Sequence, residues 1–280
     1  MANDLAHAPE EAVGSGLGVR GLLARARGSE NVVIVVLPFF SAVVFLAIWQ
    51  AISKSGTVDE IILPAPTDIV SALVRVVQES FFWEATWVTA QEALVGFAAG
   101  VLAAWILGTL IGMFRIFSLA FYPLVVMFQI SPRVALAPVF LTWFGFGVAS
   151  KMVMAATICF FPVLVNVILG LEGVNKDARS LMRSFGASRW EEYRKLLLPS
   201  SLPAIFASLK VAVALALIGA IVAEFVGASE GMGVLLRQFS FQLLIPEFFA
   251  VLVGLSIMGL IFFGLAVLLE SRVIFWRGRT

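Results

Sequence analysis

Long stretches without a charged side chain decide what this chain can fold into. Four of them hold roughly 20 residues each: Val32–Ser53, Ala93–Phe114, Met152–Leu171 and Phe248–Leu269. Such a run can cross the hydrocarbon of a bilayer as a helix, because a helix satisfies all its backbone polar groups internally. Apolar residues form 61% of the chain and charged residues only 13%, whereas soluble proteins carry about 25% charged residues. The chain is therefore predicted to be an all-α, polytopic membrane protein.

Two further spans are less regular. Leu202–Val226 carries charges at only two positions. Residues 116–150 carry one charge, Arg133, which lies between Pro132 and Pro138. Because proline interrupts a helix, this stretch is predicted to form one long, broken span. The sequence thus predicts six transmembrane helices.

Lys and Arg residues predict the orientation, since positive charges flanking spans stay in the cytoplasm. With a cytoplasmic N-terminus, only four of the 19 fall outside, namely Lys54, Arg75, Lys151 and Arg237. Thirteen are then cytoplasmic: Arg20, Arg25, Arg27, Arg115, Lys176, Arg179, Arg183, Arg189, Arg194, Lys195, Arg272, Arg277 and Arg279. Both termini are therefore predicted to be cytoplasmic.

The organisation along the chain follows from these spans. An amphipathic helix, capped by Thr67 or Asp68, is expected on the outer membrane surface. The predicted segments are a disordered cytoplasmic tail (1–31), the first transmembrane helix (32–53), a periplasmic amphipathic segment (61–82), a core (84–271) with a cytoplasmic loop (175–200), and a cytoplasmic tail (272–280).

A polar, charge-dense island at residues 184–199 separates two apolar runs. Ser188 and Glu191 have the Ser-x-x-Glu spacing of a capping box, which predicts a short helix there. Trp190 and Tyr193 would lie on neighbouring surface of this helix. It either docks a partner protein or lies at the lipid headgroups with its cations on anionic lipid. We favour docking.

The island resembles the cytoplasmic coupling loop of bacterial ABC-importer permeases. Gly186, Leu196, Leu198 and Pro199 match the spacing of that motif, whereas residues 180–182 read Ser-Leu-Met in place of its EAA triplet. Further stretches resemble nitrate, sulfonate and taurine permeases: residues 63–67, 94–97 with Gly100, Gly108 and Gly112, 132–138, 143–147, and 223–225 with Gly227, Gly231, Met232 and Gly233.

The resemblance implies a multi-pass permease of the bacterial inner membrane, a dimer, most simply of identical chains. Its partners would be two ABC ATPase subunits, an extracytoplasmic solute-binding protein and membrane lipid, with no nucleic acid. The chain would not be an enzyme and would bind no cofactor, since residues 145–152 lack the Gly-Lys-Ser/Thr of a phosphate loop. ATP and Mg²⁺ would be bound by the partner subunits. One histidine, His7, and one cysteine, Cys159, offer no metal site.

Two groups of site residues follow. The predicted short helix and the resemblance to a coupling loop together indicate which residues couple the chain to the ATPase. These are Ser184, Gly186, Ala187, Ser188, Arg189, Trp190, Glu191, Tyr193 and Arg194. The translocation path is assigned to Arg133, Trp143 and Phe144.

These path residues have plainer interpretations too. Arg133 either attracts an anion or pairs with Glu92 or with carbonyls freed by the prolines beside it. The aromatic residues equally suit an interfacial belt. Glu92 and Glu224, at the ends of their spans, are expected to be hydrated, and Lys210 to extend toward the cytoplasmic interface.

The resemblance implies import of a small organic anion such as a sulfonate, taurine, nitrate or an aromatic acid. A pyrimidine vitamin precursor or riboflavin is the alternative within the same class. A self-sufficient secondary transporter or channel is the rival class, but it would need intramembrane carboxylates or inverted repeats, which the sequence does not show convincingly. A membrane-anchored scaffold is a weaker third option, because it explains neither Arg133 nor the broken span.

Overall fold

The computed structural model describes residues 37–276, and these contain helices and no strand. The chain divides into two units, residues 1–66 and 67–280. The predicted N-terminal tail, His7 and the last four residues lie outside the described part.

The first unit contains α1, Leu37–Lys54, an apolar helix of 18 residues. Its C-terminal end is tied to the segment that follows. Trp49 Nε1 donates to the carbonyl of Pro64 at 3.1 Å, and Ser53 Oγ donates to the carbonyl of Leu63 at 2.8 Å.

The second unit is a helical bundle that begins with a short amphipathic helix, α2. The predicted amphipathic helix is present, and its buried residues, Ile69, Ala72 and Val76, recur at helical spacing. It begins at Pro66, so Thr67 and Asp68, predicted to cap it, lie within its first turn. The elements are α2 (Pro66–Val77), α3 (Ser80–Met113), α4 (Arg115–Ile130), a 3₁₀ turn (Arg133–Leu136), α5 (Ala137–Phe144), α6 (Val148–Glu172), α7 (Lys176–Ser184), α8 (Arg189–Glu192), a π turn (Tyr193–Leu197), α9 (Leu198–Gly227), α10 (Met232–Phe241) and α11 (Ile245–Val273).

The predicted number of spans agrees with these helices. Within the described residues, α1, α3, α6, α11 and the continuous segment Arg189–Gly227 are long and apolar enough to cross a membrane. The pair Arg115–Ile130 and Arg133–Phe144 is bent by 89° at its break, where the sequence predicts an interrupted helix. Counted as one broken span, this pair brings the number to six.

The three central helices α3, α6 and α9 pack closely, and buried apolar residues from all three form one core. Gly96, Gly100, Gly108 and Gly112 of α3 turn one face toward α6, as their spacing predicts. A Cβ on Gly100 would lie 2.6 Å from the backbone oxygen of Ala156. The absence of side chains on this face therefore sets the separation of the two helices.

The predicted second span covers only the later part of its helix. Helix α3 has 34 residues and begins at Ser80, well before the predicted start at Ala93. The residues before Ala93 are mixed in character, so hydropathy alone places the boundary too late. Glu92 consequently lies three turns inside a helix.

A methyl group on this glycine face should be costly. We expect Gly100→Ala to destabilise the bundle by about 1–3 kcal/mol, because its Cβ meets backbone that cannot rotate away. The thermal midpoint of the purified protein in detergent measures this effect. Gly264→Ala in α11 is the matched control, since a Cβ there meets nothing within 4 Å. Equal midpoints for the two variants would contradict this account of the α3–α6 contact.

Candidate functional site

The polar island folds into two short helices that are clamped together by one buried carboxylate. Glu192 of α8, 3% exposed, lies 2.6 Å from Arg179 Nε and 3.2 Å from Arg183 Nε, both on α7. Arg179 is the more enclosed of the two arginines. Asn175 caps α7 by accepting hydrogen bonds from the backbone N–H groups of Asp177 and Ala178. These contacts close α7 and α8 into one braced unit, residues 175–192.

The local geometry between α7 and α8 confirms two predictions. Gly186 has φ +77°, a left-handed conformation that favours glycine. Ser188 caps α8, and Glu191 completes the capping box by accepting from the backbone N–H of Ser188 at 3.0 Å. The predicted short helix is therefore present, with Gly186 in the turn before it.

A π turn joins α8 to α9 without a break in the helix. The N–H of Leu198 donates to the carbonyl of Tyr193, five residues earlier. Pro199 follows and has no N–H to offer, so the regular bond to the carbonyl of Lys195 is missing. The braced unit and α9 therefore form one continuous piece.

Three large apolar side chains of this unit face solvent. Leu181, Phe185 and Trp190 are 58%, 83% and 65% exposed. We call them the exposed apolar face. Leu181 and Phe185 were not predicted as site residues, although apolar residues in an otherwise polar segment are a readable signal. Glu192 was also missed, because its role depends on arginines brought near by the fold.

The placement of Tyr193 corrects one prediction. Its side chain is 7% exposed, and its hydroxyl accepts a hydrogen bond from Trp105 Nε1 at 3.1 Å. The ring stacks behind Trp190, with centroids 5.5 Å apart. The residue follows α8 directly, where the helical path turns its side chain toward α3. Tyr193 therefore supports Trp190 from behind and offers no contact surface itself.

The remaining predicted coupling residues lie at the surface around this face. Arg189 sits over the ring of Phe114, 5.5 Å from its centroid. The exposed members are Ser184, Gly186, Ser188, Arg189, Trp190 and Arg194, and Ala187 and Glu191 are half-buried.

Arg133 binds a proline-freed carbonyl, although not the one predicted. Its Nη1 donates to the carbonyl of Ile158 at 3.2 Å, and its guanidinium lies 5.3 Å from the ring centroid of Phe161. The carbonyl of Ile158 would normally pair with residue 162, which is Pro162 and has no N–H. The predicted pairing with Glu92 is wrong. Among the described residues no carboxylate lies within 4 Å of Arg133.

The two aromatic residues of the predicted path do not join Arg133. Trp143 and Phe144, 71% and 48% exposed, end α5, whereas Arg133 precedes it. The eight residues of α5 extend about 12 Å. Both rings instead lie 6.3 Å from the ring of Phe140. The path residues thus occupy the two ends of one short helix.

The expectation that Glu92 and Glu224 are hydrated is wrong, because both side chains are fully buried in the bundle. Lys151, expected to flank a span on the outside, is 3% exposed and lies 3.7 Å from Glu92. Lys210 pairs with Glu270 of α11 at 2.8 Å. Sequence reasoning missed the buried charges because their partners come from different helices.

Comparison with known proteins shows to which family this chain belongs. Residues 96–275 match the family described as binding-protein-dependent transport system inner membrane component. The chain belongs to this family. The match begins in α3 and runs through α11, so it includes the braced unit, the broken span and the bundle core.

Individual relatives are similar to most of the chain. Over 244 residues, the permease is 33% identical to the formylaminopyrimidine transport permease protein ThiX of Halalkalibacterium halodurans, covering 86% of this chain and 95% of ThiX. It is 30% identical to the putative aliphatic sulfonates transport permease protein SsuC of Bacillus subtilis, covering 84% and 85% of the two chains. The MetNI methionine ABC transporter shares its fold, with a TM-score of 0.59 and 18% identity over 71% of this chain and 97% of that chain.

The permease is thus a multi-pass inner-membrane component of an ABC importer that works with a separate ATPase subunit and a binding protein. It is not an enzyme. Membership of this family argues against the alternative of a self-sufficient secondary transporter, although the structure does contain buried carboxylates in its spans.

The clamp on Glu192 makes a quantitative prediction. We expect Glu192→Gln to destabilise the permease by about 1–3 kcal/mol, because a buried acceptor loses charge-assisted hydrogen bonds from Arg179 and Arg183. The shift of the chemical denaturation midpoint in detergent measures it. Lys195→Gln is the control, since the Lys195–Glu191 pair is exposed to solvent and contributes little to stability. A Glu192→Gln variant as stable as Lys195→Gln would rule out the clamp.

Proposed function

We propose that this permease imports a small organic anion and that its braced unit, residues 175–192, docks into the ATPase partner. The exposed apolar face on a rigid support is the observation that carries the docking proposal. Large apolar side chains are seldom left bare on a polar segment. Aromatic and arginine side chains dominate protein contacts, and Phe185, Trp190, Arg189 and Arg194 supply both kinds here.

The continuous backbone gives this docking a mechanical consequence. ATP and Mg²⁺ would be bound by two ATPase subunits, and their approach would move the docked unit. Because the π turn leads directly into α9, such a displacement would reach the bundle core without crossing a flexible loop. The permease would then alternate between inward-open and outward-open states.

The surface of α4 supports a dimer of identical chains. Of its 16 residues only Val125 is buried, and its apolar side chains include Ile116 and Ile130, which are 81% and 80% exposed. A second copy that packed against α4 would cover this face and place the two broken spans beside each other. Lipid would cover the apolar surface that remains.

Arg133 supports an anionic substrate. The carbonyl of Ile158 and the ring of Phe161 contact its guanidinium, but no carboxylate among residues 37–276 lies within 4 Å to balance its positive charge. Ile158 lies ten residues into α6, which is about 15 Å along the helix and half of a 30 Å hydrocarbon layer. A positive charge at this depth would attract an anion. The relationship to the SsuC protein agrees with a sulfonate.

A pyrimidine vitamin precursor or riboflavin is the second candidate. The exposed rings of Trp143 and Phe144 offer flat surface to an aromatic solute. The relationship to the ThiX protein favours this reading. The substrate profile of the cognate binding protein would separate it from the anion.

The orientation is part of the proposal. Both termini would be cytoplasmic, and the braced unit would then face the cytoplasm, where the ATPase is. The bias of Lys and Arg toward that side supports this arrangement.

Removal of the exposed rings should disconnect the ATPase. We expect Phe185→Ala with Trp190→Ala to lower the affinity of the ATPase by at least about 30-fold, because truncation of such contact residues costs about 2 kcal/mol or more. Co-purification and titration of the ATPase with the permease in nanodiscs measure this.

Phe241→Ala is the matched control, since Phe241 is 81% exposed on α10 and lies on the proposed outer side. Normal ATPase binding by the double variant, with ATP hydrolysis still stimulated by the loaded binding protein, would refute docking at this face.

Arg133 provides a test of the anionic substrate. We expect Arg133→Gln to assemble but lose sulfonate uptake by tenfold or more, since each 1.4 kcal/mol of lost attraction is about tenfold. Arg133→Lys should retain part of the uptake because it keeps the charge. Uptake by proteoliposomes with each variant measures this. Full uptake by Arg133→Gln would leave Arg133 only its structural bond to Ile158.

A further inference from the structure

A cluster of buried charged side chains joins the three central helices near the proposed outer end of the bundle. It comprises Glu92 of α3, Lys151 of α6 and Glu224 of α9, none more than 3% exposed. Lys151 lies in the first turn of α6, and Glu224 lies in the last turn of α9. Buried charges are costly, so a cluster of three at one level indicates a defined role.

Lys151 is the connection between this cluster and the loop that joins α5 to α6. Its Nζ donates to the carbonyl of Phe146 at 2.9 Å and lies 3.7 Å from Glu92 Oε1. Among the described residues it is the one cation within 4 Å of Glu92. A single ammonium group thus holds both the loop and α3.

Glu224 ties the same level of the bundle to α10. Its carboxylate accepts from the hydroxyl of Thr89 at 2.6 Å and from the N–H of Gly233 at 2.6 Å. The N–H of Met232 donates to Thr89 Oγ1 at 2.8 Å. A Cβ on Gly231 would overlap this carboxylate, so the glycine leaves the space it occupies.

Two further contacts hold the loop: the hydroxyl of Ser150 donates to the carbonyl of Gly147 at 3.0 Å, and the Phe146 ring lies beside Gly227 of α9. Gly145 has φ +76° and Gly147 immediately precedes α6, and a Cβ on either would meet nothing within 4 Å. The Phe146 side chain is 69% exposed. The loop immediately follows Trp143 and Phe144 at the end of α5. The hydrogen bond from Lys151 is therefore one of the contacts that fix the loop, and it is the contact that connects the loop to Glu92.

We propose that Lys151, Glu92 and Glu224 form a latch that holds the 145–147 loop against α3 and thereby positions the outer end of α5. We call these three residues the ionic latch. They are positioning residues for transport and need not touch the solute. Opening of the outer side would require the loop to move with this block of helices or to leave it. The inference rests on the proposed orientation, which places this end outside.

Because Lys151 carries the positive charge of the ionic latch, its substitution should have the largest effect on the loop. Removing Lys151 leaves two neighbouring buried carboxyl groups, Glu92 and Glu224, without the ammonium group beside Glu92, whereas removing Glu92 as well takes away one of them. Lys151→Met should therefore open the loop, and Glu92→Gln with Lys151→Met should restore part of the closed state. Lys151→Arg keeps both the charge and a donor.

Accessibility of a nearby thiol reports the state of the loop. Ser150→Cys is nearly isosteric, and Ser150 is fully buried and bonded to the carbonyl of Gly147. The native cysteine, Cys159, is also fully buried and can be replaced by Ser to leave no background. Labelling with a membrane-impermeant maleimide in intact cells then measures opening from outside.

In the Lys151→Met variant we expect the thiol introduced by Ser150→Cys to be labelled about tenfold faster. This factor corresponds to the loss of one charge-assisted hydrogen bond. Stimulation of ATP hydrolysis by the loaded binding protein should fall in parallel, while ATPase co-purification stays normal. The double variant should label more slowly than Lys151→Met, and Lys151→Arg should resemble the parent. If Lys151→Met does not reach the membrane, the same comparison is made between Lys151→Arg and Lys151→Gln.

Unchanged labelling and unchanged stimulation in well-folded Lys151→Met or Lys151→Gln would overturn the latch. Absence of rescue in the double variant would show that Glu92 is not its partner. Gln238→Cys, exposed on α10, separates the latch from the orientation on which it rests. If Gln238→Cys is not labelled from outside, the proposed orientation fails and the labelling is repeated on inverted vesicles. Neither result depends on the substrate.

Discussion

The close approach of α3 to α6 is the contact on which the rest of the bundle depends. It is possible only because α3 presents glycines where other helices present side chains, so that its backbone lies against Met152, Ala155 and Ala156. Gly219 of α9 meets Ala155 in the same way. Three helices thus come together at backbone distance, where van der Waals packing replaces the hydrophobic effect that lipid cannot supply.

This tight centre explains where polar groups occur. Inside a bilayer each freed carbonyl or buried carboxylate needs a partner from the protein. Arg133 supplies one to the carbonyl freed by Pro162, and Thr89 and the start of α10 supply two to Glu224. The break in α6 at Pro162, the start of α10 and the pair of Lys151 with Glu92 each supply a contact between two elements. The bundle is held by these specific bonds as well as by its apolar core.

The fold and the existence of the polar island could be predicted from sequence, because run length and charge are local properties. The short helix, its capping box and the turn at Gly186 were also predictable, since a few neighbouring residues determine them. The inward turn of Tyr193 and the pairing of Glu92 with Lys151 were not. Both depend on which residue of another helix lies opposite, and residue spacing within one segment does not carry that information.

The π turn between α8 and α9 fixes a rotational register. It accommodates one residue more than regular α-helix over the same hydrogen-bonded stretch. Each residue of an α-helix turns the chain by about 100°. Removal of one residue from Tyr193–Leu197 would therefore point Trp190 toward a different side of the molecule while leaving α9 in place. The direction in which this permease presents its exposed apolar face is encoded in the length of five residues and in the missing N–H of the proline behind them.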